Sequence, residues 1–197
     1  MKVHGLRFPL APPLEAKKPR SAAAVLHALS LALLLGSLGC QTMNRDPIPT
    51  VAHVDLDRFM GDWYVIGVIP TWFELDAHNA VERYSRNPDG TIATDFSFRK
   101  GSFDGPLREY HPKGFVRDDP SNAVWGMQFV WPIKAEYRIV HLDDAYSITV
   151  VARNERDHAW IMAREPTLSA SEYEARLDEL VDWGYDRSEF VRVPHRW

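Results

Sequence analysis

The chain has 197 residues, 45% hydrophobic and 25% charged, which is the composition of one globular domain and excludes a disordered chain. Its formal net charge is −4, and residues 1–39 carry Lys2, Arg7, Lys17, Lys18 and Arg20 against Glu15. The remainder therefore stands near about −8, which argues against nucleic acid as a partner. The single cysteine, Cys40, excludes an internal disulfide. Aromatic residues reach 12%, with seven Trp, so the chain holds either a large core or an aromatic-lined cavity.

Residues 1–20 are basic and proline-bearing, and Ala22 to Leu38 are almost wholly apolar. That order matches the charged and apolar regions of an export signal. The apolar run, about 17 residues broken by His27 and Ser30, falls short of the roughly 20 needed to span a bilayer. It ends Gly36-Ser37-Leu38-Gly39-Cys40, which resembles a bacterial lipobox with Ser37 where Leu is usual. The resemblance implies that Cys40 is acylated and becomes the N-terminus, and two or three acyl chains anchor stably where one is marginal. Gln41, rather than Asp, follows the cysteine, which in such lipoproteins implies sorting to the outer membrane. The expected organisation is a signal peptide over 1–39, a lipidated tether over 40–55 with Pro47 and Pro49, and a folded domain over 56–197.

From Leu56 onward short β-like runs alternate with turn signals. Trp63 to Ile69 stops at Pro70, and Pro70 to Asn79, with Trp72 and Phe73, reads as a loop over an opening. Ala80 to Arg86 ends in Asn87-Pro88-Asp89-Gly90, a strong turn. Thr91 to Arg99 alternates Ile92, Thr94, Phe96 and Phe98 against polar residues, a half-buried strand. Leu107 to Val116, Ala123 to Trp131, Glu136 to Leu142, Tyr146 to Ala152 and Ala159 to Ala163 follow. Eight strands in about 105 residues predict an antiparallel barrel or sandwich. Ser169 and Glu172 form a capping box, and Tyr173, Leu177, Leu180 and Val181 recur at helical spacing before Gly184. Phe190 to Val193 predicts a short edge strand.

Three motifs in order then resemble the lipocalin family, closest to its bacterial outer-membrane lipoprotein branch. They are Phe59-Met60-Gly61-Asp62-Trp63-Tyr64, the hairpin Asp143-Asp144-Ala145-Tyr146, and the stretch from Arg153 to Pro166 that contains Arg164. The resemblance implies an all-β fold, an eight-stranded up-and-down barrel with a C-terminal α-helix. It also implies that Trp63 plugs the narrow end with Arg164 across it, an indole–guanidinium contact of roughly 0.5–2 kcal/mol. Gly61, Tyr64, Asp143 and Tyr146 are then structural motif residues.

Chemistry narrows the reading. The chain has no Gly-x-Ser-x-Gly elbow and no thiol in the barrel, and its His residues show no ligand spacing, so neither a hydrolase nor a metal site is indicated. Adjacent Asp pairs at 118–119 and 143–144 read as turn formers, since neighbours on a strand point to opposite faces. Trp125, Met127, Phe129 and Trp131 lie at period two and share one face of a strand. Facing inward they line a cavity with soft apolar surface; in a filled barrel they are plain core. Tyr84, Phe96 and Phe98 form a second tier, and Trp72 and Phe73 are lid candidates.

The reading is a carrier, not an enzyme, of fatty acids, lysophospholipids or similar ligands, without cofactor or metal. The resemblance places it at the periplasmic face of the bacterial outer membrane, with a role in envelope maintenance, and its bacterial relatives can dimerise. Two alternatives stay open: an isomerase or hydrolase of a lipophilic substrate, with Glu82, Arg83, Glu136 and Arg138 to inspect, and a ligand-free interaction module.

Overall fold

The computed structural model describes residues 46–197, so the signal segment and Cys40 lie outside the described residues. A four-residue helix, α1 (Leu56–Phe59), opens the domain. The Asp55 side chain caps it by accepting from the Asp57 and Arg58 amides at 3.0 and 3.2 Å. Strands β1 (Gly61–Ile69), β2 (Ala77–Arg86), β3 (Ile92–Lys100), β4 (Leu107–Tyr110), β5 (Lys113–Val116), β6 (Val124–Val130), β7 (Ile133–Leu142), β8 (Ile148–Ala152) and β9 (Ala159–Ala163) follow as an antiparallel meander.

β9 pairs back onto β1, with Tyr64 opposite Ala163 and Ile69 opposite Ala159, and this closes the barrel. β4 and β5 together occupy one position, since both pair with β3. Pro112 separates them; it has no N–H for the ladder, and its carbonyl accepts from the Thr94 amide at 3.2 Å instead. The barrel is therefore eight-stranded, and closure removes the exposed edges of an open sheet.

After β9, α2 (Ala170–Asp182) begins at the Ser169/Glu172 capping box and lays Tyr173, Leu177 and Leu180 against the outside of the barrel. Gly67 on β1 permits that approach, because a Cβ there would stand 2.5 Å from a ring carbon of Tyr173. A short β10 (Val191–Arg192) pairs with β1 at Gly67 and Val68.

Residues 46–55 lie on the barrel rather than leading away from it. The Ile48 amide donates to Asn154 Oδ1 at 2.9 Å, and its carbonyl accepts from Arg138 Nη2 at 2.8 Å. Val51 and Val54 donate to the carbonyls of Ile139 and Ser121.

At the end of the barrel beside α1, Arg164 and Trp63 meet as a lid. The guanidinium centre stands 3.9 Å from the centroid of the indole. Gly61 adopts φ +97°, which favours glycine, and a Cβ there would crowd Arg164 Nη1 at 3.2 Å. The Asp143 carboxylate holds the β7–β8 hairpin by accepting from the Ser147 and Ile148 amides at 2.7 and 2.6 Å. Tyr146, at φ +58°, receives the Asp55 amide on its hydroxyl and so ties that hairpin to α1. Tyr64 lies against His195 and Trp197, with ring centroids 5.8 and 5.6 Å away.

Candidate ligand-binding site

Alternation on the strands decides what enters the barrel. Inward positions deliver Trp63 from β1, Tyr84 from β2, Trp125 from β6 and Tyr137 from β7 to the closed end, where Phe59 of α1 joins them. Trp125 and Tyr137 stack at 5.1 Å, and Phe59 stands 5.0 Å from Trp63 and 5.5 Å from Trp125. This half of the barrel is filled by aromatic rings.

Above it lies a cavity of about 270 Å³, at the small end of the roughly 300–1,000 Å³ usual for small-molecule sites. Phe96, Met127 and Trp160 supply apolar wall, and Phe73 and Phe129 meet across the mouth with centroids 5.7 Å apart. The loop from Thr71 to Glu74 folds inward over the opening. Its Glu74 is buried, accepting from Trp160 Nε1 at 3.0 Å and from the Thr71 amide at 2.9 Å.

Five of the nine aromatic and Met positions singled out in the sequence line this cavity: Met127, Phe129, Phe96, Trp72 and Phe73. The other four do not. Trp125 and Tyr84 belong to the filled end, and Phe98 is buried against Phe96 and Tyr110. Trp131 is 82% exposed, because a register shift between Met127 and Val130 breaks the alternation and β6 ends at Val130. The four residues from Trp125 to Trp131 therefore do not share one environment.

The wall also carries polar groups, among them Glu82 and Glu136 of the four strand residues marked for inspection, and Thr94, which was not marked. Glu82 on β2 is 8% exposed and accepts from the Tyr84 hydroxyl, which itself lies 2.8 Å from the Tyr137 hydroxyl. Burial first, and then the neighbouring Glu74, push the Glu82 carboxyl up to about 8. Burial and Glu82 raise the Tyr137 phenol well above its ordinary value. Thr94 on β3, 2% exposed, completes this inner end. Inward phase with Phe96 was its only sequence signal. Nearer the mouth, Glu136 binds the Asn154 amide at 2.8 Å and pairs with Arg138 at 3.2 Å, while Arg153 pairs with Asp157 at 3.2 Å.

Of the four residues marked for inspection, Arg83 points outward to Asp62, and the Arg138 guanidinium is spent on Ile48 and Glu136. Glu82 and Glu136 reach the cavity. Among the described residues no group of three or more His, Cys, Asp or Glu is placed to hold a metal ion. No helix among them is long and apolar enough to cross a membrane.

Comparison with known proteins agrees with this architecture. The chain is 27% identical over 171 residues to the outer membrane lipoprotein Blc of Escherichia coli K12, covering 86% of this chain and 94% of that one. It is 25% identical over 164 residues to temperature-induced lipocalin-1 of Arabidopsis thaliana, covering 76% and 84%. Among solved structures, insecticyanin from the tobacco hornworm Manduca sexta matches with a TM-score of 0.58 at 17% identity, covering 74% and 83%. Lobster apocrustacyanin A1 matches with a TM-score of 0.57 at 13% identity, covering 78% and 93%. Residues 54–195 match the family described as a lipocalin-like domain, and the chain, with its closed eight-stranded barrel and C-terminal helix, belongs to that family.

Proposed function

We propose that this protein carries single-chain amphiphiles, among them fatty acids and lysophospholipids, at the periplasmic face of a bacterial outer membrane. The observation that carries the reading is the cavity of about 270 Å³, walled by Phe96, Met127 and Trp160 and reached past Phe73 and Phe129. Burial of an alkyl chain contributes about 0.8 kcal/mol per CH₂, less the cost of ordering the chain. Relatives named outer membrane lipoprotein support the location, and acylation of Cys40 would supply the anchor. An anchored carrier stays where such lipids are released.

Titration of the delipidated protein with a lysophospholipid and with palmitate, followed by tryptophan fluorescence, tests this. Saturable binding at micromolar concentration or tighter is expected, since Trp160 and Trp72 line the cavity. Met127→Ala and Phe129→Ala should each weaken binding about tenfold, roughly the transfer energy of one or two buried methylenes. Trp131→Ala, outside the cavity, should leave it within about twofold. A folded protein with no saturable response contradicts the carrier.

One observation favours a second reading. Glu82, inside the cavity with a carboxyl near 8, has the character of a general acid or base in a lipocalin-fold enzyme. Recovery of each lipid chemically unchanged after long incubation would exclude it.

A further inference from the structure

Two polar atoms at the inner end of the cavity have no partner. Thr94 Oγ1 is buried and makes no hydrogen bond. Glu82 accepts from Tyr84 on Oε2, and its Oε1 makes no bond to the described residues. The register of β2 on β3 brings the two together: Glu82 stands opposite Phe96, and Thr94 opposite Tyr84, so Thr94 and Glu82 are diagonal neighbours on the inner face. An unpaired buried hydroxyl is costly and uncommon, and Thr94 Oγ1 with the free oxygen of its diagonal neighbour Glu82 on the same cavity wall outlines a missing ligand group.

We propose that this inner end is a subsite for a hydrogen-bond-donating head, an amine above all, so that the amphiphile enters head first with its chain along Phe96 and Met127 toward the mouth. The proposal rests on the carrier reading and deepens it by naming the ligand class. An ammonium group has three donors and no acceptor, which suits Glu82 Oε1 and Thr94 Oγ1 together. A hydroxyl can donate to Glu82 and accept from Thr94. Once Glu82 is ionised, above about pH 8, a carboxylate is repelled there by Glu82 and Glu74, and both Glu74 oxygens are already engaged by Trp160 and Thr71. A fatty acid therefore keeps its carboxylate at the mouth, where Arg153 and His158 lie.

The titratable groups facing Glu82 set the pH response. Glu74 from the loop raises its carboxyl, Tyr84 donates to it, and Tyr137 from β7 stays a neutral phenol. Glu136, Arg153 and His158 line the same cavity farther out, with Glu136 and Arg153 paired to their own neighbours. An ammonium ion binds the ionised form of Glu82 and displaces its proton to solvent. Amine affinity should then rise about tenfold per pH unit below about 8 and level off above it.

The test is calorimetric titration of the delipidated full chain with dodecylamine, dodecanol and dodecanoic acid, each below its micellar concentration. In the wild type the amine should bind at least about tenfold more tightly than the acid at pH 8. Glu82→Gln should abolish that preference and the pH dependence while keeping dodecanol within about threefold, because the amide oxygen still accepts. Thr94→Val should weaken amine and alcohol about fivefold and raise the unfolding midpoint by removing an unpaired hydroxyl. Equal binding of amine and acid, or a preference that survives Glu82→Gln in a folded variant, overturns the subsite while the carrier stands. Binding of none of the three overturns the carrier, and the subsite with it.

Discussion

Replacing Arg164 with Ala should destabilise the barrel by about 3 kcal/mol, read as a lower urea midpoint and a melting temperature reduced by about 6–12 °C. The magnitude follows from what the guanidinium does. Its Nη2 reaches the carbonyls of Arg58, Phe59 and Met60 at 2.9, 3.0 and 2.9 Å, and its Nη1 reaches that of Asp62 at 2.7 Å. Nε adds the Tyr146 carbonyl at 3.3 Å. The last carbonyls of a helix have no partner within it, so Arg164 caps α1 from the far end of the sequence while covering Trp63. Each charge-assisted bond is worth about 1.5–3 kcal/mol where water is excluded. Arg164 is only half buried, so solvent replaces part of the loss and the sum is well below five bonds' worth. Arg164→Lys should recover less than half, because a point charge cannot serve carbonyls on several sides. Ligand affinity should stay within about twofold, since Arg164 does not line the cavity. An unchanged midpoint in Arg164→Ala would contradict the lid.

The second large effect is a pH dependence of opposite kind to that of most carboxylates. Glu82 has its carboxyl raised from an ordinary 4.5 to about 8 in the folded chain, so the folded state holds the proton more tightly than the unfolded state. Its contribution to stability is complete below about pH 4.5, is lost as pH rises, and changes no further above about 8. A tenfold tighter hold on the proton is worth about 1.4 kcal/mol, so the loss across that window is about 3–5 kcal/mol. Glu82→Gln, which cannot ionise, should therefore match the wild type near pH 4.5 and exceed it by about this amount at pH 8.5. Urea unfolding of both proteins across the window measures it, with the difference between them isolating Glu82 from other titrating groups. Parallel curves would mean that Glu82 ionises in the fold as it does in water.

Much of the architecture is legible in the sequence because the signals are local. Period-two runs, turn dipeptides and the Ser169–Glu172 box each act within a few residues, and α2 and most strands form where they indicate. The run expected as one strand over Leu107–Val116 instead breaks at Pro112 into β4 and β5, and β2 starts at Ala77 inside the stretch expected as a loop. The Trp63–Arg164 lid was legible only through family resemblance, since nothing local ties residues that far apart. What escaped is set by register between strands. No single strand shows that Trp63, Tyr84, Trp125 and Tyr137 arrive at one level and fill half the barrel. The alternation that groups Trp125 with Trp131 fails at the register shift after Met127, which depends on the partner strand. Thr94 and Glu82 show inward phase, yet whether an inward polar residue meets a ring or a cavity is decided by its neighbours. Residues 46–55 read as a tether because their hydrogen bonds go to Asn154, Ser121 and Ile139, far along the chain.

A lipid carried as proposed lays its chain inside the barrel against Met127. Methyl-labelled methionine NMR of the delipidated protein, titrated with lysophosphatidylethanolamine, tests it directly. Met127 lines the cavity, whereas Met162 is as deeply buried but forms no part of its wall. The Met127 methyl should shift in proportion to bound lipid while the Met162 methyl holds its position. A Met127 methyl unmoved at saturating lipid would contradict it and place the ligand outside the barrel.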